Sequence, residues 1–194
     1  MEPFNILVAG VGGQGVLLTS KILAESALAS GYDVKQSEVH GMAQRGGSVV
    51  SQVRFGERVF SPIVSEGECD LLIGFEPLET ARYLQFLKPG GVVIYNTHRV
   101  VTLTVSIGAE KYPEDIDGMV AAYEKDVRPF DATALAVAAG EKRAVNLVLL
   151  GAALSALPVK EDVVVKAIDR CVPKKALEVN KRAFFSGRDY FSAR

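Results

Sequence analysis

The stretch "FNILVAGVGGQGVLLTSKILAESALAS", residues 4–30, constrains the fold more than any other part of the chain. Residues 4–10 form a continuous apolar run stopped by glycine, the pattern of a parallel strand buried on both faces. Gly10, Gly12 and Gly15 then satisfy a G-x-G-x-x-G spacing, and "VLLTSKILAESALAS" reads as a helix stopped by Gly31. Lys21 and Glu25, four apart, give that helix one narrow wet stripe. The rest of its circumference is apolar or small, which predicts cover on more than one side. "YDVKQSEV" supplies a second strand and completes a β-α-β start.

The remaining segments extend this pattern. "SVVSQVRF" alternates and is expected to turn back into "GERVF" as a hairpin around Gly56 and Glu57. "DLLIGF" (70–75) reads as a buried strand. "EPLETARYLQFL" reads as a helix with Pro77 in its first turn, where no N–H is needed. "KPGG" ends it and "VVIYN" is the next strand. Residues 97–130 show strand-like alternation in "VVTLTVSI" and then polar turns, and from about 131 the pattern is helical. This order predicts the α/β class: a Rossmann-like, doubly wound, mostly parallel sheet with a β-hairpin insertion. Residues 1–130 would form the α/β core and 131–194 a helical portion packed on it, within one domain. Such sheets bind ligands beyond the carboxyl ends of their strands. Segments 10–15 and 40–47, which follow the first two strands, should therefore lie side by side on one rim.

Composition narrows the classes of function. The 194 residues carry a formal net charge of −1 and no basic run, so nothing favours nucleic acid or an anionic membrane as partner. "MEPFNILVAG" lacks the pattern of a signal peptide. "AVNLVLLGAALSAL" is interrupted by Asn146 and too short to span a bilayer, so a cytoplasmic location is expected. Cys69 and Cys171 stand far apart without a C-x-x-C. That argues against a disulfide scaffold, and against a metal or iron–sulfur site built by this chain alone. Cys171 shares a predicted helix face with Val164, Ala167 and Ile168, and is expected to be a buried structural thiol.

The glycine turn itself admits several chemistries. It offers backbone N–H groups to an anion, and Gln14 adds an amide at the mouth of the helix. Glu38 ends the second strand, where a nicotinamide-dependent dehydrogenase holds the ribose hydroxyls. An S-adenosylmethionine methyltransferase would use a similar loop and acid, often with an "LKPGG" such as stands at 87–91. Against both, His40, Gln44 and Arg45 would crowd an adenosine pocket. The chain also ends in helices where a methyltransferase closes with antiparallel strands. His40 has no assignable nucleophile or carboxylate partner and is read as a structural or interface histidine. His98, in "YNTHRV", falls past a strand end without an assigned role. No residue is assigned a catalytic role.

Two segments carry a family resemblance: "ILVAGVGGQGVLLTSKILAESAL" and "SEVHGMAQRGGSVVSQVRFG". With them the chain resembles the gamma-type small subunits of 2-oxoacid:ferredoxin oxidoreductases. "HGMAQRGG" points within that group to the beta subunits of indolepyruvate ferredoxin oxidoreductase. The likeness is strongest over residues 5–95, returns in "KALEVNKRAFFSGRDY", and draws little from 97–130. It implies that a large partner subunit binds thiamine diphosphate and carries the 4Fe-4S clusters. The complex would decarboxylate a 2-oxoacid oxidatively, pass the acyl group to coenzyme A and deliver electrons to ferredoxin. The small subunit would hold no cofactor and be inactive alone. Gly12, Gly13, Gln14 and Gly15, with Gln44, Arg45 and Gly46, would then form a rim facing the partner's site. That rim would contact coenzyme A or help close the thiamine pocket, with a salt bridge across the interface as the alternative role of Arg45.

Overall fold

The central strand forms where the sequence is most apolar. In the computed structural model, which describes residues 2–40, 47–101, 103–108, 111–123 and 126–192, β1 spans Phe4–Val11 and all but its first residue are buried. It is followed by α1 (Val16–Ala29), β2 (Asp33–His40), β3 (Ser48–Gly56), β4 (Cys69–Gly74) and α2 (Pro77–Arg82). Then come β5 (Leu87–Asn96), α3 (Leu103–Ser106), α4 (Ile116–Tyr123), β6 (Val127–Phe130) and α5 (Ala132–Ala138). The chain closes with α6 (Val145–Ala153), α7 (Glu161–Cys171) and α8 (Leu177–Ser192). The strands form one six-stranded sheet in the order β2-β3-β1-β4-β5-β6. β1, β4, β5 and β6 are parallel neighbours, whereas β3 is antiparallel to both β1 and β2. The mostly parallel α/β sheet expected from the sequence is the one observed.

Two local expectations need correction. β3 does not turn back at Gly56 and Glu57: its antiparallel partners are β2 and β1, and residues 57–68 form no strand. That segment is tied down by side chains instead. Arg54 donates to the carbonyls of Ile63 (2.6 Å) and Ser61 (3.4 Å), Gln52 accepts from Val64 N (2.7 Å), and Asp33 accepts from Val59 N (2.8 Å). Buried Val59 and Val64 complete the anchoring. Among the described residues the alternation in "VVTLTVSI" also yields no strand, and Leu103–Ser106 is helical.

Side chains sort onto two faces by strand periodicity. Ile6, Val8, Val53, Phe55, Leu71, Ile73 and Ile94 pack under α1, α6, α7 and α8. Leu7, Ala9, Val50, Leu72, Val93 and Tyr95 pack under Leu78 of α2 and Ile116 and Val120 of α4. Helices thus cover both faces. The last helix is fastened to the sheet edge by aromatic rings, Phe130 lying 5.1 Å from Tyr190 and 5.3 Å from Phe191. Among the described residues no helix is long and apolar enough to cross a membrane. Cys69 lies in β4, where burial pushes its thiol up to about 12. Cys171 is half-buried rather than enclosed, because it closes α7 one turn beyond the core residues Val164, Ala167 and Ile168.

Candidate functional site

The carboxyl ends of β1, β4 and β5 meet at one rim, and the glycine turn is stapled into it. Gly12 N donates to Gly47 O (2.8 Å), joining the turn to the start of β3. Segments 10–15 and 40–47 therefore touch at that pair, while Gln44, Arg45 and Gly46 lie outside the described residues. Gln14 folds back on the backbone: its Oε1 accepts from Val11 N (2.7 Å) and its Nε2 donates to Phe75 O (3.3 Å). Its amide locks the ends of β1 and β4 together. Gly13 and Gly15 have φ of 98° and 94°, backbone that favours glycine. Gly15 is the N-cap of α1 and supplies no side chain, so no side-chain cap accepts from the first N–H groups of that helix.

A cleft of about 330 Å³ opens beside this turn. Asn96 organises its floor, donating to Thr133 Oγ1 (3.0 Å) and Phe75 O (3.3 Å) and accepting from Ala132 N (3.1 Å) and His98 N (3.3 Å). Every polar atom of this buried amide is engaged, which fixes the end of β5, the start of α5 and the path of His98. Gly13, His98, Lys142 and Arg143 line the walls. The side chains of His98, Lys142 and Arg143 have no hydrogen-bond or ion-pair partner among the described residues. Glu141 is the acidic residue of the lining, and it accepts from Arg143 N (3.0 Å). Asn146 stands at the second position of α6, 3% exposed, against the turn. A Cβ on Gly15 would lie 3.1 Å from its Nδ2. Its amide makes no hydrogen bond among the described residues and is not sealed from solvent, so its donor and acceptor stay available beside the turn. Cationic side chains, an uncapped helix start and an unengaged amide converge here, an arrangement suited to an anion such as a phosphate.

A larger groove of about 590 Å³ at the opposite end of the sheet contains Arg54 and Lys88, but its cations are engaged: Arg54 donates to Asn5 Oδ1 (2.8 Å) and Lys88 pairs with Asp70. Glu38 also lies away from the cleft. It pairs across to Ser51 of β3, and that strand stands between β2 and β1, so Glu38 sits one strand too far from the glycine turn to hold a ribose there. Cys69 and Cys171 lie on separate elements, the first a buried thiol donating to Leu71 O, and do not suit an iron–sulfur cluster.

Two buried carboxylates stand at the start of α2, Glu76 as its N-cap and Glu79 in its first turn. Glu76 is fully buried and Glu79 is 1% exposed. Burial pushes the Glu79 carboxyl above its ordinary range, against the lowering effects of the Ser48 hydroxyl and the Arg82 guanidinium. Sequence reasoning missed both, as it missed Asn96, Lys142 and Arg143. Asn146 was visible only as a polar break in an apolar run.

A model of the family described as pyruvate ferredoxin/flavodoxin oxidoreductase matches residues 5–190. The chain belongs to that family. It is 42% identical over 193 residues to indolepyruvate oxidoreductase subunit IorB of Thermococcus kodakarensis, covering 96% of this chain and 95% of the relative. The gamma subunit of a keto/oxoacid ferredoxin oxidoreductase from Geobacter sulfurreducens has the same fold, with a TM-score of 0.73 and 26% identity, over 98% of this chain and 99% of that one. A 2-oxoglutarate:ferredoxin oxidoreductase from Magnetococcus marinus, solved with 2-oxoglutarate, coenzyme A and succinyl-CoA bound, matches all of this chain over 32% of its own longer one. Its TM-score is 0.74 at 20% identity, a likeness of fold. The chain is thus a subunit of a 2-oxoacid:ferredoxin oxidoreductase. The family resemblance drawn from "GVGGQG" and "HGMAQRGG" holds, and a self-sufficient NAD(P)- or S-adenosylmethionine-dependent enzyme finds no support.

Proposed function

We propose that this chain is the small subunit of a cytoplasmic indolepyruvate- or arylpyruvate-type 2-oxoacid:ferredoxin oxidoreductase. It would dock on a large subunit that holds thiamine diphosphate and the 4Fe-4S clusters, and present its glycine rim to coenzyme A. In the overall reaction a 2-oxoacid anion and coenzyme A yield acyl-CoA, carbon dioxide, one proton and two electrons, the electrons leaving to ferredoxin. The observation that carries the role of this chain is the cleft beside Gly13. His98, Lys142, Arg143 and the start of α1 offer positive charge and N–H donors to a phosphate-bearing ligand. Coenzyme A is the phosphate-bearing substrate of such a reaction, and the Magnetococcus marinus fold neighbour has it bound. Gly12, Gly13, Gly15, Gln44, Arg45 and Gly46 would supply the backbone and guanidinium side of the contact. Gln14 would brace the turn.

Arg45→Ala tests this in the assembled complex. Loss of a charge-assisted contact worth about 1.5 kcal/mol should raise the KM for coenzyme A about tenfold, with the KM for the 2-oxoacid unchanged. An unaltered KM for coenzyme A in an intact complex would remove Arg45 from the rim. A complex that falls apart would assign it to a salt bridge with the partner.

A further inference from the structure

Glu76 and Glu79 do not reach the cleft, yet both are enclosed in the first turn of α2 or at its cap. Enclosing a carboxylate costs several kcal/mol unless its oxygens are well partnered. The partners here lie on the two segments that flank the glycine turn. Glu79 Oε2 accepts from Ser48 Oγ (2.5 Å), and Arg82 Nε lies 3.3 Å from its Oε1. Ser48 is the residue at which the chain re-enters the sheet, and the carbonyl of its neighbour Gly47 accepts from Gly12 N. Glu76 caps α2, its Oε2 accepting from Glu79 N (3.0 Å). Capping alone needs one oxygen, and Ser, Thr, Asp or Asn would serve it better. The longer side chain uses its second oxygen elsewhere: Oε1 accepts from Tyr112 OH and from Val100 N (3.4 Å). Val100 lines the cleft next to His98. Tyr112 lies under the Arg99 guanidinium (5.2 Å), and Arg99 reaches Glu114 O (3.3 Å) and Asp117 (3.8 Å). One short helix therefore holds both walls, the Ser48 side through Glu79 and the His98–Val100 side through Glu76.

We propose that Glu76 and Glu79 are positioning residues for the coenzyme A rim, setting the spacing of its two walls on either side of the glycine turn. This rests on the reading of that rim given above. Glu76 bridges α2 to Val100 and Tyr112, which the sheet ladder does not hold, and Glu79 adds a side-chain tie to Ser48 at the last pair of the β1–β3 ladder.

The test uses the complex with its large subunit and compares the KM for coenzyme A with that for the 2-oxoacid. Ser48→Ala and Tyr112→Phe each remove one donor and leave the carboxylates in place, so they avoid the folding risk of substituting Glu76. Each should raise the KM for coenzyme A about three- to tenfold, the range of one hydrogen bond, and shift the KM for the 2-oxoacid less than about twofold. Glu79→Gln, which keeps an acceptor for Ser48, should recover most of what Glu79→Ala loses. Ser48→Ala should add nothing to Glu79→Ala, because the two share one bond. If Ser48→Ala and Tyr112→Phe leave the KM for coenzyme A unchanged while Arg45→Ala raises it, the positioning role is wrong and the rim stands. If both KM values rise together, the carboxylates act on stability alone and the positioning role is wrong. If no rim substitution moves the KM for coenzyme A, the rim reading falls and takes this inference with it.

Discussion

Gly151→Ala should lower the melting temperature by about 6–12 °C, the shift expected for about 3 kcal/mol in a chain of this length. In an open helix interior the same exchange would stabilise, since alanine is favoured over glycine by about 1 kcal/mol. Packing reverses the sign here. A Cβ on Gly151 would lie 1.9 Å from Phe184 O and 2.9 Å from Arg188 N, which are backbone atoms of α8 that cannot step aside. Gly187 meets α6 in the same way, its Cβ falling 1.9 Å from Val148 O. The two helices touch backbone to backbone, and Leu147, Val148, Leu149 and Phe184 are fully buried around the contact. Separating them would open the core under β1 and β4. Gly187→Ala should cost a similar amount, and the pair together less than the sum, because either one already forces the helices apart. Thermal unfolding followed by circular dichroism reads all three. A melting temperature unchanged by Gly151→Ala would mean that the α6–α8 approach described above is wrong.

Removing both cations of the cleft should have the largest effect on activity. Lys142 and Arg143 are exposed, so their contacts to a phosphate are screened and worth less than enclosed ones. Taking about 1 kcal/mol for each, Lys142→Ala/Arg143→Ala should raise the KM for coenzyme A about thirtyfold. The difference from the parent complex should shrink as salt is added. Lys174→Ala/Lys175→Ala changes net charge equally at an exposed turn ahead of α8 and serves as the control. Equal effects from the two pairs would mean that general charge, not the cleft, draws the coenzyme.

Local features were legible in the sequence and non-local choices were not. β1, the glycine turn and α1 follow from residues 4–30 alone, because a buried strand, a left-handed turn and a helix are each specified within a few residues. The alternation of "SVVSQVRF" announced a strand but could not name its neighbours. Pairing with β1 on one side and β2 on the other decided its place, and that placement carried Glu38 away from the turn. Residues 97–130 were hard to read for a related reason. Distant partners tie parts of this segment down, Tyr112 on Glu76 and Asp117 of α4 on Tyr95 OH (2.7 Å). The cleft was half legible. Gly10, Gly12 and Gly15 announced it by spacing, whereas Asn96 opens an ordinary polar loop and Asn146 is a single polar residue in an apolar run. Only the tertiary fold brings them to the end of α1.

The central claim is that these turns serve a reaction centred in another subunit. It is tested most directly by 2-oxoacid-dependent dye reduction, with and without coenzyme A, on the purified chain and on the chain co-expressed with a large thiamine-binding subunit. The account predicts no turnover by the chain alone, and turnover with acyl-CoA formation by the pair. Sustained turnover by the isolated chain would contradict it.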